Sequence, residues 1–189
     1  MQAKSIKGQT PEEIKSALEK ATSNGFKPTL AFVFITNLED IDTVSTILDA
    51  AGISIFGVST AEKFNEEGIE QTGIVALLLD MIPAHFKIVL EDFNVSSVYE
   101  SACAVGESGK ESFNHPAFII STADIRIPGE DVIRGILDKA GIDVAIFGGG
   151  AGEPVNFSGT VFTNQSKYDS GLLSLIVDED KVEVKGVAV

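Results

Sequence analysis

Residues 136–150 read ILDKAGIDVAIFGGG, and residues 47–57 read ILDAAGISIFG. ILDKAGI (136–142) matches ILDAAGI (47–53) at all positions but one, and IFG returns in both soon afterwards. Each passage has the form of an amphipathic helix end closed by glycine, then a short β-rich run. The surroundings repeat as well. Glu62 aligns with Glu153, and GIVALLLD (73–80) aligns with GLLSLIVD (171–178). The order helix, strand, helix, strand, hairpin therefore predicts an internally duplicated α/β fold with pseudo-twofold symmetry. Its halves span 10–93 and 94–189, within a single domain over 1–189.

Outward from these repeats, Thr10-Pro11-Glu12-Glu13 carries a helix start: a cap residue, proline at the first position and a glutamate to complete a capping box. Ile14, Ala17, Leu18 and Ala21 follow at helical spacing, and Asn24-Gly25 stops the run. TLAFVFIT (29–36) is continuously apolar, as expected of a strand buried on both faces. A helix over 39–52 turns Ile41, Val44, Ile47 and Leu48 inward, and a strand over 53–58 follows. GIVALLLD and FKIVLEDF (86–93) read as a strand pair joined around Pro83. In the second half, Ser96 or Ser97 opens a helix to about Gly106, and AFIIST (117–122) is a strand. A helix from Pro128 to Gly141 precedes a strand over 143–148, and further strands are expected at 158–163, 171–178 and 181–189. The pattern leaves open whether the halves share one sheet. Several strands and two helices per half favour two mixed sheets packed face to face with helices outside, a four-layer αββα sandwich.

Composition narrows the function classes. The chain has 189 residues, 44% of them hydrophobic, which suits a globular domain with a sizeable core. No apolar run reaches the roughly 20 residues of a membrane-spanning helix, and the N-terminus lacks a signal-like apolar stretch. A cytoplasmic location without membrane insertion is the expectation. The net charge of -14 sets 28 acids against 14 scattered bases, which argues against nucleic-acid binding. The single cysteine, Cys103, excludes an internal disulfide and a cysteine-cluster metal site.

The glycine run at 148–152 leaves the end of a strand, where open α/β sheets form ligand crevices. A phosphate loop needs a helix directly after the glycines; here VNFSGTVF reads as loop and strand, and no Gly-Lys-Ser/Thr is present. Glycine also serves wherever the chain needs positive φ or close backbone approach. The functional reading compatible with that role is a small-molecule pocket. Gly148, Gly149, Gly150, Ala151, Gly152, Glu153 and Asn156 would line it on one side, with Ser59, Thr60 and Glu62 opposite. Arg126 and Lys63 are the cations that could meet an anionic ligand, and Glu62 or Glu153 could hold an ammonium. His85 and His115 sit at element boundaries with no carboxylate at metal-ligand spacing, as loop histidines do. No nucleophile elbow or triad order is present, so the expectation is no enzyme activity and no catalytic residue.

IPGEDVIRGILDKAGIDVAIFGGGAGEPVNFSGTVFTN, with GLLSLIVDEDKVEVKGVAV and the earlier GVSTAEKF, resembles the N-terminal FIST domain over residues 28–189. That family is a sensory module of prokaryotic signalling proteins, found also in some F-box proteins. The resemblance implies binding of a small molecule, such as an amino acid or related metabolite, with no resident cofactor. As an alternative it implies a haem-binding, nitric-oxide-responsive sensor, for which His85 or His115 would be the axial ligand. A third reading is a non-catalytic scaffold. Its partners would be a C-terminal FIST domain, which normally follows a segment such as KGVAV, a signalling protein, or a second copy forming a homodimer.

Overall fold

The computed structural model describes residues 1–66, 68–152 and 158–186. The chain runs β1 (Ala3–Gly8), α1 (Pro11–Thr22), β2 (Leu30–Ile35), α2 (Ile41–Ala50), β3 (Ser54–Ser59), β4 (Lys63–Asn65), β5 (Gly68–Glu70) and β6 (Ile74–Leu79). It continues through β7 (Phe86–Asp92), α3 (Val98–Ser112), β8 (Pro116–Thr122), α4 (Gly129–Ala140) and β9 (Ile146–Gly150). Strands β10 (Val161–Phe162), β11 (Lys167–Tyr168) and β12 (Gly171–Asp178) follow.

Two mixed sheets carry the fold, in the orders β1-β6-β2-β3-β10-β11 and β7-β12-β8-β9, and β4 with β5 forms a separate hairpin. The first four strands of the larger sheet and the four of the smaller one share both order and direction. In each, two antiparallel pairings are followed by one parallel pairing, β2 with β3 and β8 with β9. The segments ILDAAGI and ILDKAGI occupy the same place in the two sheets, between a helix and the strand parallel to its predecessor.

Four layers follow from side-chain alternation. Ala31, Val33 and Ile35 of β2 pack with Ile14, Leu18, Val44 and Leu48 of α1 and α2. The opposite faces, with Leu30, Phe56 and Val58, meet Leu173, Leu175 and Val177 of β12 between the sheets. Beyond the second sheet, Phe118, Leu172 and Ile176 pack against Ala102 and Val105 of α3 and Val132 and Ile136 of α4. A strand inside such a sandwich has no wet face, so β2 reads LAFVFI without alternation.

The helix starts follow the capping chemistry. Thr10 accepts from the Glu13 amide at 3.3 Å, while the Glu13 carboxylate takes the Gln9 amide at 2.7 Å, one residue before the cap. Ser97 and Glu100 form a reciprocal capping box at the start of α3.

Four expectations are corrected, and one strand is added. The strands GIVALLLD and FKIVLEDF do not pair with each other: β6 has both edges taken by β1 and β2, so the chain crosses to the other sheet, where β7 pairs with β12. Strand β1 was not foreseen; AKSIKG sits at a sheet edge, carries two lysines and sends only Ile6 to the core. Helix α3 runs past Gly106 to Ser112, because Gly106 and Gly109 let it approach α4 and β8 closely. A Cβ on Gly106 would lie 2.6 Å from the Ile136 carbonyl oxygen, and one on Gly109 would lie 2.5 Å from the Phe118 ring. Strand β9 extends through Gly150, so Gly149 and Gly150 belong to the sheet and not to a loop. Finally, Lys181–Gly186 follows a turn and forms no strand, and residues 187–189 lie outside the described residues.

Candidate functional site

At the C-terminal ends of β3 and β9 the two sheets come together. Thr60 and Gly152 form a parallel bridge, and Ser158 bridges Asp124. The Ser59 hydroxyl, fully buried, accepts from the Thr160 amide at 2.7 Å, while the Ser59 amide donates to the Thr160 carbonyl at 2.8 Å. The Ala151 amide donates to the Thr122 carbonyl at 2.7 Å. These bonds pin the strand ends, and beside them the sheets diverge around a cavity of about 770 Å³.

The larger sheet lines this cavity with Phe32 and Phe34 of β2, Phe56 and Val58 of β3, and Val75 and Leu77 of β6. The smaller sheet contributes Ile119 and Ser121 of β8 and the backbone of 148–151. The rim carries Ser5, Thr60, Glu62, Lys63, Phe64 and Glu66. The larger sheet's lining is therefore apolar and aromatic, with the exposed Glu62 and Glu66 at the entrance and Lys63 buried beside them.

Each glycine of β9 has its own reason. Gly148 has φ +152°, and a Cβ there would lie 2.0 Å from the Ile120 carbonyl oxygen. A Cβ on Gly150 would lie 2.7 Å from Cγ2 of Ile125. Gly149 differs, since a Cβ there would meet nothing within 4 Å. Alternation gives its direction: Ile146 packs in the helix layer and Ala151 in the inter-sheet layer, so a side chain at 149 would project between the sheets. The residue beside Gly149 across the strand pair is Ser121. Ser121 shares the inter-sheet face with Ile119 and is 6% exposed, and its hydroxyl is not among the fully buried side-chain atoms without a partner, which among the described residues are those of Ser45, Ser101 and Ser174. The missing side chain at 149 thus leaves the Ser121 side chain open to the cavity.

The β9 edge adds backbone groups. The Ala145 carbonyl accepts from Phe118 and the Ala151 amide donates to Thr122, which fixes the parallel ladder on the odd-numbered residues. The amides and carbonyls of Gly148 and Gly150 consequently point away from β8, to the side where Thr60 meets Gly152.

Lys63 is 3% exposed and donates to the Thr36 hydroxyl. Burial pulls its ammonium pKa below the ordinary value, with nearby Glu70 acting in the opposite direction. The Glu66 carboxylate is held below its usual range by its own backbone hydrogen bond and by the Ser5 hydroxyl, 2.9 Å away. Arg126 is forked onto Asp124, with Nε 2.9 and 3.0 Å from the two carboxylate oxygens, and it does not line the cavity. That pairing lowers the Asp124 pKa to about 2.

Of the residues singled out from sequence, Ser59, Thr60, Glu62, Gly148, Gly149, Gly150 and Ala151 border this one cavity. Gly152 bridges Thr60 at its end, and Glu153 and Asn156 lie outside the described residues. His85 closes a 3-10 turn, and His115 pairs with Asp180 through Nδ1 at 2.8 Å; neither lines the cavity. Among the described residues no group of three or more His, Cys, Asp or Glu side chains could hold a metal ion, and no helix is long and apolar enough to cross a membrane. Sequence reasoning passed over Ser121. Its signal was a polar residue on the inward phase of AFIIST, opposite a glycine.

A family model described as FIST N domain matches residues 29–188. Among curated proteins no relative matches.

Proposed function

Because the chain belongs to the FIST N domain family, a family of signal-transduction sensory domains and not of catalysts, we propose that it senses a small molecule held between its two sheets. The observation that carries this reading is the cavity of about 770 Å³ lined by apolar and aromatic side chains, with the Ser121 side chain left uncovered by Gly149. Such a volume falls within the roughly 300–1,000 Å³ of ligand pockets that combine apolar walls with a few placed polar groups. It favours a ligand with a larger apolar body than most free amino acids. An amino acid would instead draw its ammonium to Glu62 at the rim, or to Glu153. The haem reading draws no support from the positions of His85 and His115. As a sensory domain the protein acts through a ligand or signalling partners. The cavity mouth is where occupancy would be read, since the exposed Phe64 of the β4–β5 hairpin stands at its rim.

A thermal-shift panel of amino acids, nucleotides, carboxylates, apolar amides and haem tests the proposal. At least one compound stabilises the wild-type chain, and Gly149→Leu cancels that effect. Stabilisation that persists unchanged in Gly149→Leu would place the ligand elsewhere and refute the site.

A further inference from the structure

Resting on that reading, we infer that the cavity takes a neutral ligand: an apolar alkyl or aryl body bearing a secondary amide.

The body follows from the floor. Phe32, Phe34, Phe56 and Leu77 present no hydrogen-bonding group, so the buried portion of a ligand must be apolar. The charge follows from the rim. A carboxylate entering the cavity would pass Glu62 and Glu66, and Lys63, the cation among the lining residues, is 3% exposed, bonded to Thr36 and close to the Glu70 carboxylate. A net charge of -14 adds to the repulsion of anions. A cation would be welcome beside Glu62 and Glu66, but away from them the lining offers no carboxylate to pair with it, and an unpaired buried charge is costly. The polar head follows from the open groups. Ser121 offers a hydroxyl, while Gly148 and Gly150 turn both an amide N–H and a carbonyl away from β8. An edge that presents donors and acceptors along one strand is complementary to a group carrying both, and a secondary amide carries both. A carboxylate could use only the donors there, and an ammonium only the acceptors.

Three probes with one octyl-length body separate the possibilities: N-octanoylglycinamide, octanoate and octylamine, each competing with the neutral dye Nile red. In the wild-type protein the amide displaces the dye at a concentration at least roughly tenfold below either charged analogue. Loss of one neutral hydrogen bond in Ser121→Ala weakens the amide by roughly three- to tenfold, and Ser121→Thr, which keeps the hydroxyl, restores it. The inference is overturned if octanoate or octylamine equals the amide, or if Ser121→Ala leaves the amide preference intact. In either case dye binding that is lost in Gly149→Leu would still leave the cavity as a ligand site. Dye binding indifferent to Gly149→Leu would remove the cavity reading, and this inference with it.

Discussion

Replacing Gly149 with leucine separates folding from sensing. Gly149 lies inside β9 with no left-handed φ, and an added Cβ meets nothing within 4 Å. The fold should therefore accept a side chain there. Removing a strand glycine is worth roughly 0.5–1 kcal/mol in backbone entropy. A leucine only partly covered by Ile119 and the cavity walls gains part of the roughly 1.5–3 kcal/mol of full burial. The sum is a stabilisation of about 1–2 kcal/mol, or roughly 2–8 °C in Tm for a chain of this size. The same side chain occupies the space over Ser121. A ligand at 100 times its Kd stabilises the wild-type protein by about 2.7 kcal/mol, which corresponds to roughly 5–11 °C. Differential scanning fluorimetry of both proteins, with and without a binding compound, reads both effects. The expected result is a higher unliganded Tm in Gly149→Leu and no ligand shift. An unliganded Tm that falls by several degrees would show that position 149 is not open, and an undiminished ligand shift would show that the ligand does not lie over Ser121.

Other substitutions test the frame around the cavity. Gly148→Ala combines a backbone strain of roughly 1–3 kcal/mol with a clash on the Ile120 carbonyl, so urea unfolding should show a loss at least that large. Gly106→Ala forces α3 from α4 at the Ile136 carbonyl, and overpacking of this kind costs about 1–3 kcal/mol in the same assay. Asn164 holds the start of β3 by accepting from the Ile55 amide at 2.9 Å and donating to the Ile53 carbonyl at 2.8 Å; Asn164→Ala should cost about 1–3 kcal/mol while leaving ligand binding unchanged. The Asp124 pKa is depressed from 3.8 to about 2 in the folded protein, so its contribution is present above pH 4 and fades as pH falls from about 4 to 2. Thermal melts against pH should show wild type and Asp124→Asn converging over that window, and parallel curves would rule out the pairing with Arg126.

Much of this architecture was legible because local chemistry and tertiary need agree. Thr10, Ser97 and Pro128 mark helix starts that the fold keeps, and the unbroken apolar run of β2 announces a strand covered on both sides. What was missed depends on partners distant in sequence. Nothing local in GIVALLLD says that both its edges will be occupied, one of them by a lysine-bearing strand more than 60 residues earlier. Nor does Gly106 announce that it lies inside a helix, since its purpose is the approach of Ile136 from α4. The glycine run pointed to the right end of the sheet but not to the different tasks of its members. Gly148 answers to backbone conformation, Gly150 to Ile125, and Gly149 to the emptiness over Ser121. Ser121 itself reads as one small polar residue in a strand, and becomes notable only once Gly149 is beside it.

The most direct test of a sensor site between the sheets is backbone-amide NMR of the wild-type chain, titrated with the strongest stabiliser from the thermal-shift panel. Chemical-shift changes confined to Phe32–Phe34, Phe56–Thr60, Ile119–Thr122 and Gly148–Gly152 are the predicted result. Changes centred on His85, His115 or the α3–α4 face, with the Ser121 and Gly149 amides unmoved, would contradict it.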